Sequence, residues 1–283
     1  MAAHSPPPAP EWLTGLWRRE SIAYSDGTED RSTCVLWGQT RSRYVDLRIP
    51  ADRPPARGRR SFDDFSEGEL LLLSEQMGFA GHVVLKGDVC TWIRYIDYQP
   101  NTGRPDSGRL ELNGDALHER GEASSVLGRD YHEIFHREHK AERCCAALQS
   151  FAPTQGGANE EGTARAVLIL IDNHFLFAQA RSEELPQGQS LRELVLAAGK
   201  DRSLIHRYLD CEISFGNIEG NDPWLVISST IPFRERQRLL PRSSVVQRGE
   251  TGSLVLCSDS SLQHWRIIES SIPTDDLVTL FSR

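Results

Sequence analysis

The sequence predicts a mainly β protein made of two antiparallel up-and-down barrels in tandem, each with one short helix. Three observations carry this reading. Short apolar or alternating runs recur along most of the chain, turn dipeptides separate them, and the order hairpin, short helix, meandering strands occurs twice. The 283 residues suffice for two ordinary domains with real cores. A flexible tail is expected over 1–13, a first barrel over 14–152 and a second over 162–283.

The elements follow in order. Pro6, Pro7, Pro8 and Pro10 prevent regular pairing in the tail. Residues 15–24 and 32–39 flank the turn dipeptide Asp26-Gly27 and read as a hairpin. Residues 43–49 alternate: Val45, Leu47 and Ile49 fall on one face, Tyr44, Asp46 and Arg48 on the other. Residues 53–60 form a Pro/Arg-rich loop with four arginines. Ser66 with Glu69 makes a capping box for a short helix ended by Gly78. Strands are expected at 79–86, 88–98, 108–112 and 116–120, with Asn113-Gly114 between the last two.

Glu160-Glu161-Gly162, after the polar stretch 154–159, reads as an interdomain linker. Beyond it, 164–171 and 174–181 flank Asp172-Asn173, and 190–198 reads as a second helix capped by Gly199. Further strands are expected at 205–215, 224–230, 253–257 and 263–270.

Charge and composition narrow the partners. The formal net charge is −8, with −4 on either side of residue 150. Neither half offers the basic footprint of a nucleic-acid or anionic-membrane partner. The longest apolar run, 166–171, is far too short to span a bilayer, and the N-terminus lacks the apolar stretch of a signal peptide. The six cysteines, Cys34, Cys90, Cys144, Cys145, Cys211 and Cys257, form no C-x-x-C pair and read as reduced, buried small hydrophobes of a cytoplasmic protein. No Gly-rich phosphate loop and no G-x-S-x-G elbow occurs, and no cofactor is expected.

The sharpest local motif is His132-Glu133-Ile134-Phe135-His136, which fits H-E-x-x-H. On a helix, His132 and His136 would share a face and hold zinc while Glu133 polarised its water, giving a zinc-dependent hydrolase. The charged neighbours Asp130, Arg137 and Glu138 are unlike those of a buried zincin helix, and His139 and Glu142 break the metzincin extension. On a strand, His132 and His136 would stand roughly 13 Å apart, too far to share one ion. The conformation of 130–140 decides between the two.

The series as a whole resembles a family of bacterial and fungal proteins built from two lipocalin-like (calycin-type) barrels. The resemblance covers about 14–270. It is carried by Gly15-Leu16-Trp17-Arg18-Arg19, Tyr44-Val45-Asp46-Leu47-Arg48, Trp92-Ile93-Arg94 with Asp97-Tyr98-Gln99-Pro100, Tyr131 with Glu133, and the run from Asp210 to Gly216. It implies a barrel strand at Tyr131 and Glu133, a possible protein partner, and no single activity.

Two arrangements of the first barrel remain open. With the polar faces inward, Tyr44, Asp46, Arg48, Trp92, Arg94, Glu119 and Tyr131 would line a lumen for a small, partly apolar ligand, including an anion. Arg48 or Arg94 could then clamp a carboxylate, and Glu133 with Arg94 could serve isomerase- or cyclase-type proton transfer. With the polar faces outward, Val45, Leu47 and Ile49 fill the lumen. A non-enzymatic interaction module docking through the 53–60 loop or a barrel face is the third functional expectation.

Overall fold

The computed structural model describes residues 6–139, 145–151, 164–220, 222–240, 245–248, 252–258 and 261–282. The first sheet holds β1 (Gly15–Tyr24), β2 (Glu29–Asp30), β3 (Cys34–Gln39), β4 (Tyr44–Ile49), β5 (Met77–Lys86), β6 (Val89–Asp97), β7 (Ser107–Asn113), β8 (Ala116–Gly121) and β9 (Tyr131–His139). From β3 onward each strand pairs antiparallel with the next. β9 then returns to β1, with Leu16 opposite His139 and Tyr24 opposite Tyr131. The short β2 attaches at the end of β1. Eight strands therefore close a barrel with the up-and-down connectivity of lipocalin-like folds.

The second sheet holds β10 (Cys145–Phe151), β11 (Ala164–Ile171), β12 (His174–Gln179), β13 (Glu212–Asn217), β14 (Leu225–Ser229), β15 (Val245–Arg248), β16 (Ser253–Ser258) and β17 (Ser261–Ser270). Its order is β14-β13-β12-β11-β10-β17-β16-β15, and among the described residues β14 and β15 do not pair. The sheet stays open, so the expected second closed barrel is not seen. The free side of β14 is covered by the following chain: Val226 N donates to Gln237 O at 2.9 Å and Arg236 N to Val226 O at 2.9 Å. The second sheet already begins at β10, ahead of the boundary expected at 152. The expected linker at 160–162 and Cys144 lie outside the described residues.

Four short helices complete the fold: α1 (Glu67–Leu73), α2 (Leu191–Ala198), α3 (Arg202–Leu209) and α4 (Thr274–Phe281). Ser66 and Ser190 cap α1 and α2 in reciprocal boxes with Glu69 and Glu193, as the spacing predicts. The strand expected at 205–215 is half helix. Asp201 accepts from Leu204 N at 2.9 Å, and Ile205 with Leu209 makes one buried stripe, so α3 forms first and only 212–217 pair as strand.

The position of the core decides the orientation of the first barrel. Leu36, Val45, Leu47 and Ile49 point out of the barrel and pack against Val167, Ile169, Ile171, Leu176 and Ile213 of the second sheet. Helices α1, α2 and α3 close the same core through Leu70, Leu73, Leu191, Val195, Ile205 and Leu209. Gly38 permits this approach, since a Cβ there would lie 2.6 Å from Leu176 Cδ1 and 2.8 Å from Ile169 Cδ1. The opposite face of the second sheet has its own core, in which Leu168, Phe175, Phe177, Trp224 and Trp265 surround Leu277 and Phe281 of α4. Polar ties cross the junction. Arg43 Nε donates to Gln149 Oε1 at 2.8 Å, and Arg181 Nη2 donates to Tyr98 O at 2.6 Å.

The outward-facing arrangement of the polar residues is thus corrected. Val45, Leu47 and Ile49 fill the junction between the sheets, not the lumen.

Candidate functional site

Inside the barrel the two ends differ. Toward the start of β1, Trp17, Trp37, Phe135, Val83, Cys90, Leu110 and Leu117 pack together. The segment before β1 plugs that end: Leu13 is buried, and Trp17 Nε1 donates to its carbonyl at 2.8 Å. Toward the opposite end, where β1 and β4 finish and β3 and β5 begin, the inward positions carry charge.

Period-two alternation places these side chains. Asp46 and Arg48 alternate inward on β4, Trp92 and Arg94 on β6, Glu119 on β8, and Tyr131 and Glu133 on β9. Glu119 and Glu133 stand directly opposite each other across β8 and β9. Tyr131 reaches across because Gly121 opposes it; a Cβ on Gly121 would lie 2.0 Å from the Tyr131 ring.

Each guanidinium is committed. Arg48 donates to Asp46 at 2.8 and 3.3 Å and to Glu133 Oε1 at 3.1 Å. Arg19 donates to the same Glu133 oxygen at 2.8 Å and to Asp30 at 2.6 Å. Arg94 joins Asp97 at 2.6 Å and Asp106 at 2.6 Å, and its guanidinium lies 3.7 Å from the centroid of the Phe79 ring. Buried charges persist only when paired in this way. Glu119 differs: its described partner is neutral, the Tyr131 hydroxyl donating at 2.7 Å. Burial, then the charge of Glu133, pushes the Glu119 carboxyl well above the usual carboxylate range. Burial likewise raises Asp46, opposed by Arg48.

Two spaces adjoin these groups. An inner cavity of about 20 Å³, room for about one water, is lined by Trp37, Phe79, Trp92, Glu119, Tyr131 and Glu133 among others. An outer cavity of about 130 Å³ lies among Arg19, Ile22, Asp30, Glu75, Met77 and Leu127. Arg48, Met77 and Leu127 border both. Among the described residues the Trp37 indole N–H is buried without a partner, an unmet donor on a residue that lines the inner space.

Seven of the residues expected at a site thus gather at one end: Asp46, Arg48, Trp92, Arg94, Glu119, Tyr131 and Glu133. Tyr44 is inside the barrel but belongs to the packed layer, edge-on to Phe79 at 6.1 Å. Sequence reading missed Arg19, Asp30, Asp106, Met77 and Leu127. Arg19 had a signal, since it alternates with Trp17 on β1. Asp106 and Leu127 had none, because they lie in loops.

The H-E-x-x-H match is on β9 and is corrected accordingly. Glu133 points into the barrel, whereas His132 and His136 are on the outer face. His132 Nε2 lies 3.0 Å from His118 Nδ1, and His136 Nε2 lies 2.7 Å from Glu20 Oε2. The three motif residues therefore build no common metal centre. Among the described residues no cluster of three or more His, Cys, Asp or Glu is placed to hold a metal ion. The 53–60 loop is also less free than its composition suggests. Arg53 is tied to Glu235, and Arg59 is tied to Glu69 and lies over the Phe65 ring. Among the described residues no helix is long and apolar enough to cross a membrane.

No protein-family model and no curated protein matches the sequence. Among solved structures, a lipocalin-like protein from Bacteroides uniformis ATCC 8492 is similar at 15% identity and a TM-score of 0.29, over 44% of this chain and 97% of that one. A likeness that slight transfers neither fold nor ligand; the barrel stands on its own strand pairing.

Proposed function

We propose that the first barrel binds a small, partly apolar molecule at its open end. One observation carries this: charged side chains and an unmet indole donor surround a water-sized cavity that adjoins a larger one, while the other end of the same barrel is packed. A lumen serving only as core would be filled by the apolar residues that here face the second sheet. Cavities at the mouth of a small barrel suit one such molecule.

An anionic ligand is disfavoured, because Arg48 and Arg94 already hold carboxylates and would have to surrender them. Isomerase- or cyclase-type proton transfer remains part of this proposal, with a change of roles. Glu133 is held by two guanidiniums and Arg94 by two carboxylates, so Glu119 is the group poised to exchange a proton with the ligand. The same proposal treats the second sheet as an opened lipocalin-like lobe whose role is to dock the barrel. Among the described residues the thiols of Cys34, Cys90 and Cys211 form no disulfide, which suits a reducing, cytoplasmic setting.

Native mass spectrometry of the purified protein, followed by a thermal-shift screen, tests the proposal. Leu127→Trp, which fills the outer cavity from a loop, should abolish every shift seen with the wild type. Equal shifts in both proteins, or none in the wild type, overturn the reading.

A further inference from the structure

The two cavities are lined by an unequal set of charges. Their basic side chains are Arg19, Arg48 and Arg94; their acidic ones are Asp30, Asp46, Glu75, Asp106, Glu119 and Glu133. Glu75 is answered at the surface by Arg192 at 2.9 Å. The three arginines are divided among Asp30, Asp46, Asp97, Asp106 and Glu133, and no guanidinium bonds Glu119 among the described residues. The enclosed end of the barrel is therefore short of positive charge, in a place where unbalanced charge is costly.

We propose that the ligand is a small primary amine. Its ammonium group sits in the inner cavity beside Glu119, and its short apolar remainder lies in the outer cavity against Met77 and Leu127. This assignment rests on the ligand-binding reading above and adds the chemical class.

Three observations converge on it. An ammonium nitrogen is about the size of the water that the inner cavity accommodates. Its N–H donors match a wall that presents carboxyl oxygens of Asp106, Glu119 and Glu133, and its charge offsets that of Glu133, which opposes ionisation of Glu119. The indole rings of Trp37 and Trp92 line the same space, and indole is the strongest aromatic partner for a cation. The outer cavity, about 130 Å³, sets the size of the remainder. A cavity of about 150 Å³ holds benzene, so roughly four to six carbons fit. A carboxylate would have to strip an arginine from its partner, leaving that partner buried and unpaired.

The test uses three probes of one skeleton, butylamine, 1-butanol and butyrate, titrated calorimetrically into the protein. Butylamine should bind tightest, and the alcohol and butyrate far more weakly. Glu119→Gln, which keeps the shape of a protonated carboxyl, should weaken butylamine about thirtyfold and leave the alcohol unchanged. If the alcohol or butyrate binds as tightly as the amine, the charge assignment is overturned while the ligand-binding reading stands. If no probe binds and the broader thermal-shift screen is also silent, both fall; if only that screen responds, the amine alone falls.

Discussion

Strands β4 and β11 pack against each other, yet they divide their faces in opposite ways. On β4, Val45, Leu47 and Ile49 face the junction, while Tyr44, Asp46 and Arg48 face the lumen. On β11 both faces are apolar: Val167, Ile169 and Ile171 meet the barrel, and Leu168 and Leu170 meet the core around α4. A strand covered on both sides by apolar partners reads as a continuous hydrophobic run. A strand with one apolar partner alternates. The difference shows that the second sheet supplies the first with its main hydrophobic contact and thereby frees the barrel interior for charge.

This comparison can be broken at several points. The largest effect is expected inside the barrel. Glu133→Ala removes the carboxylate shared by Arg19 and Arg48 and should cost about 3–5 kcal/mol in urea denaturation, since it leaves Arg19 with Asp30 alone and Arg48 with Asp46 alone. A cost below about 1 kcal/mol would mean that the charge network is not enclosed. Leu47→Ala, at the junction, should cost about 3 kcal/mol. Both sheets should still unfold in one transition, and separate transitions would show that the junction does not couple them.

Glu119→Gln sharpens the comparison through pH. The folded protein holds the Glu119 proton above the ordinary 4.5, where the unfolded chain has released it. The wild type should therefore lose stability as pH rises from about 4.5 toward the raised value, while the glutamine variant lacks this loss. The gap between the two should widen in favour of the variant with increasing pH, and a constant gap would refute the raised pKa. The smallest effect is expected outside. His136→Ala removes an exposed pair with Glu20 and should change stability by less than about 1 kcal/mol. A larger loss would mean that the outer face of β9 has a structural role.

Much of the fold was legible, and the reason is physical. Alternation and turn dipeptides report strand rhythm directly, so β1, β3–β8, β11 and β12 follow from it. The capping boxes at Ser66 and Ser190 report two helices as directly. Which face of β4 is enclosed was not legible, because alternation separates two faces without saying what lies opposite either. That depends on Ile169 and Leu176, more than a hundred residues away in sequence. For the same reason the H-E-x-x-H match looked like a metal site until strand β9 put Glu133 and the histidines on opposite sides. The closure of the second sheet, inferred from a repeated rhythm, depended on pairings between strands far apart in the chain.

The seam between β1 and β9 has a consequence for how the chain reaches this state. Its partners, from Leu16 with His139 to Tyr24 with Tyr131, are more than a hundred residues apart. At about 5–20 residues per second, β1 leaves the ribosome roughly 5–25 s before β9 arrives to pair with it. Over that interval Arg19 lacks Glu133 and the lumen has no final wall. The last strand to arrive both seals the cylinder and delivers Tyr131 and Glu133, so synthesis order makes the completed site a late event of folding.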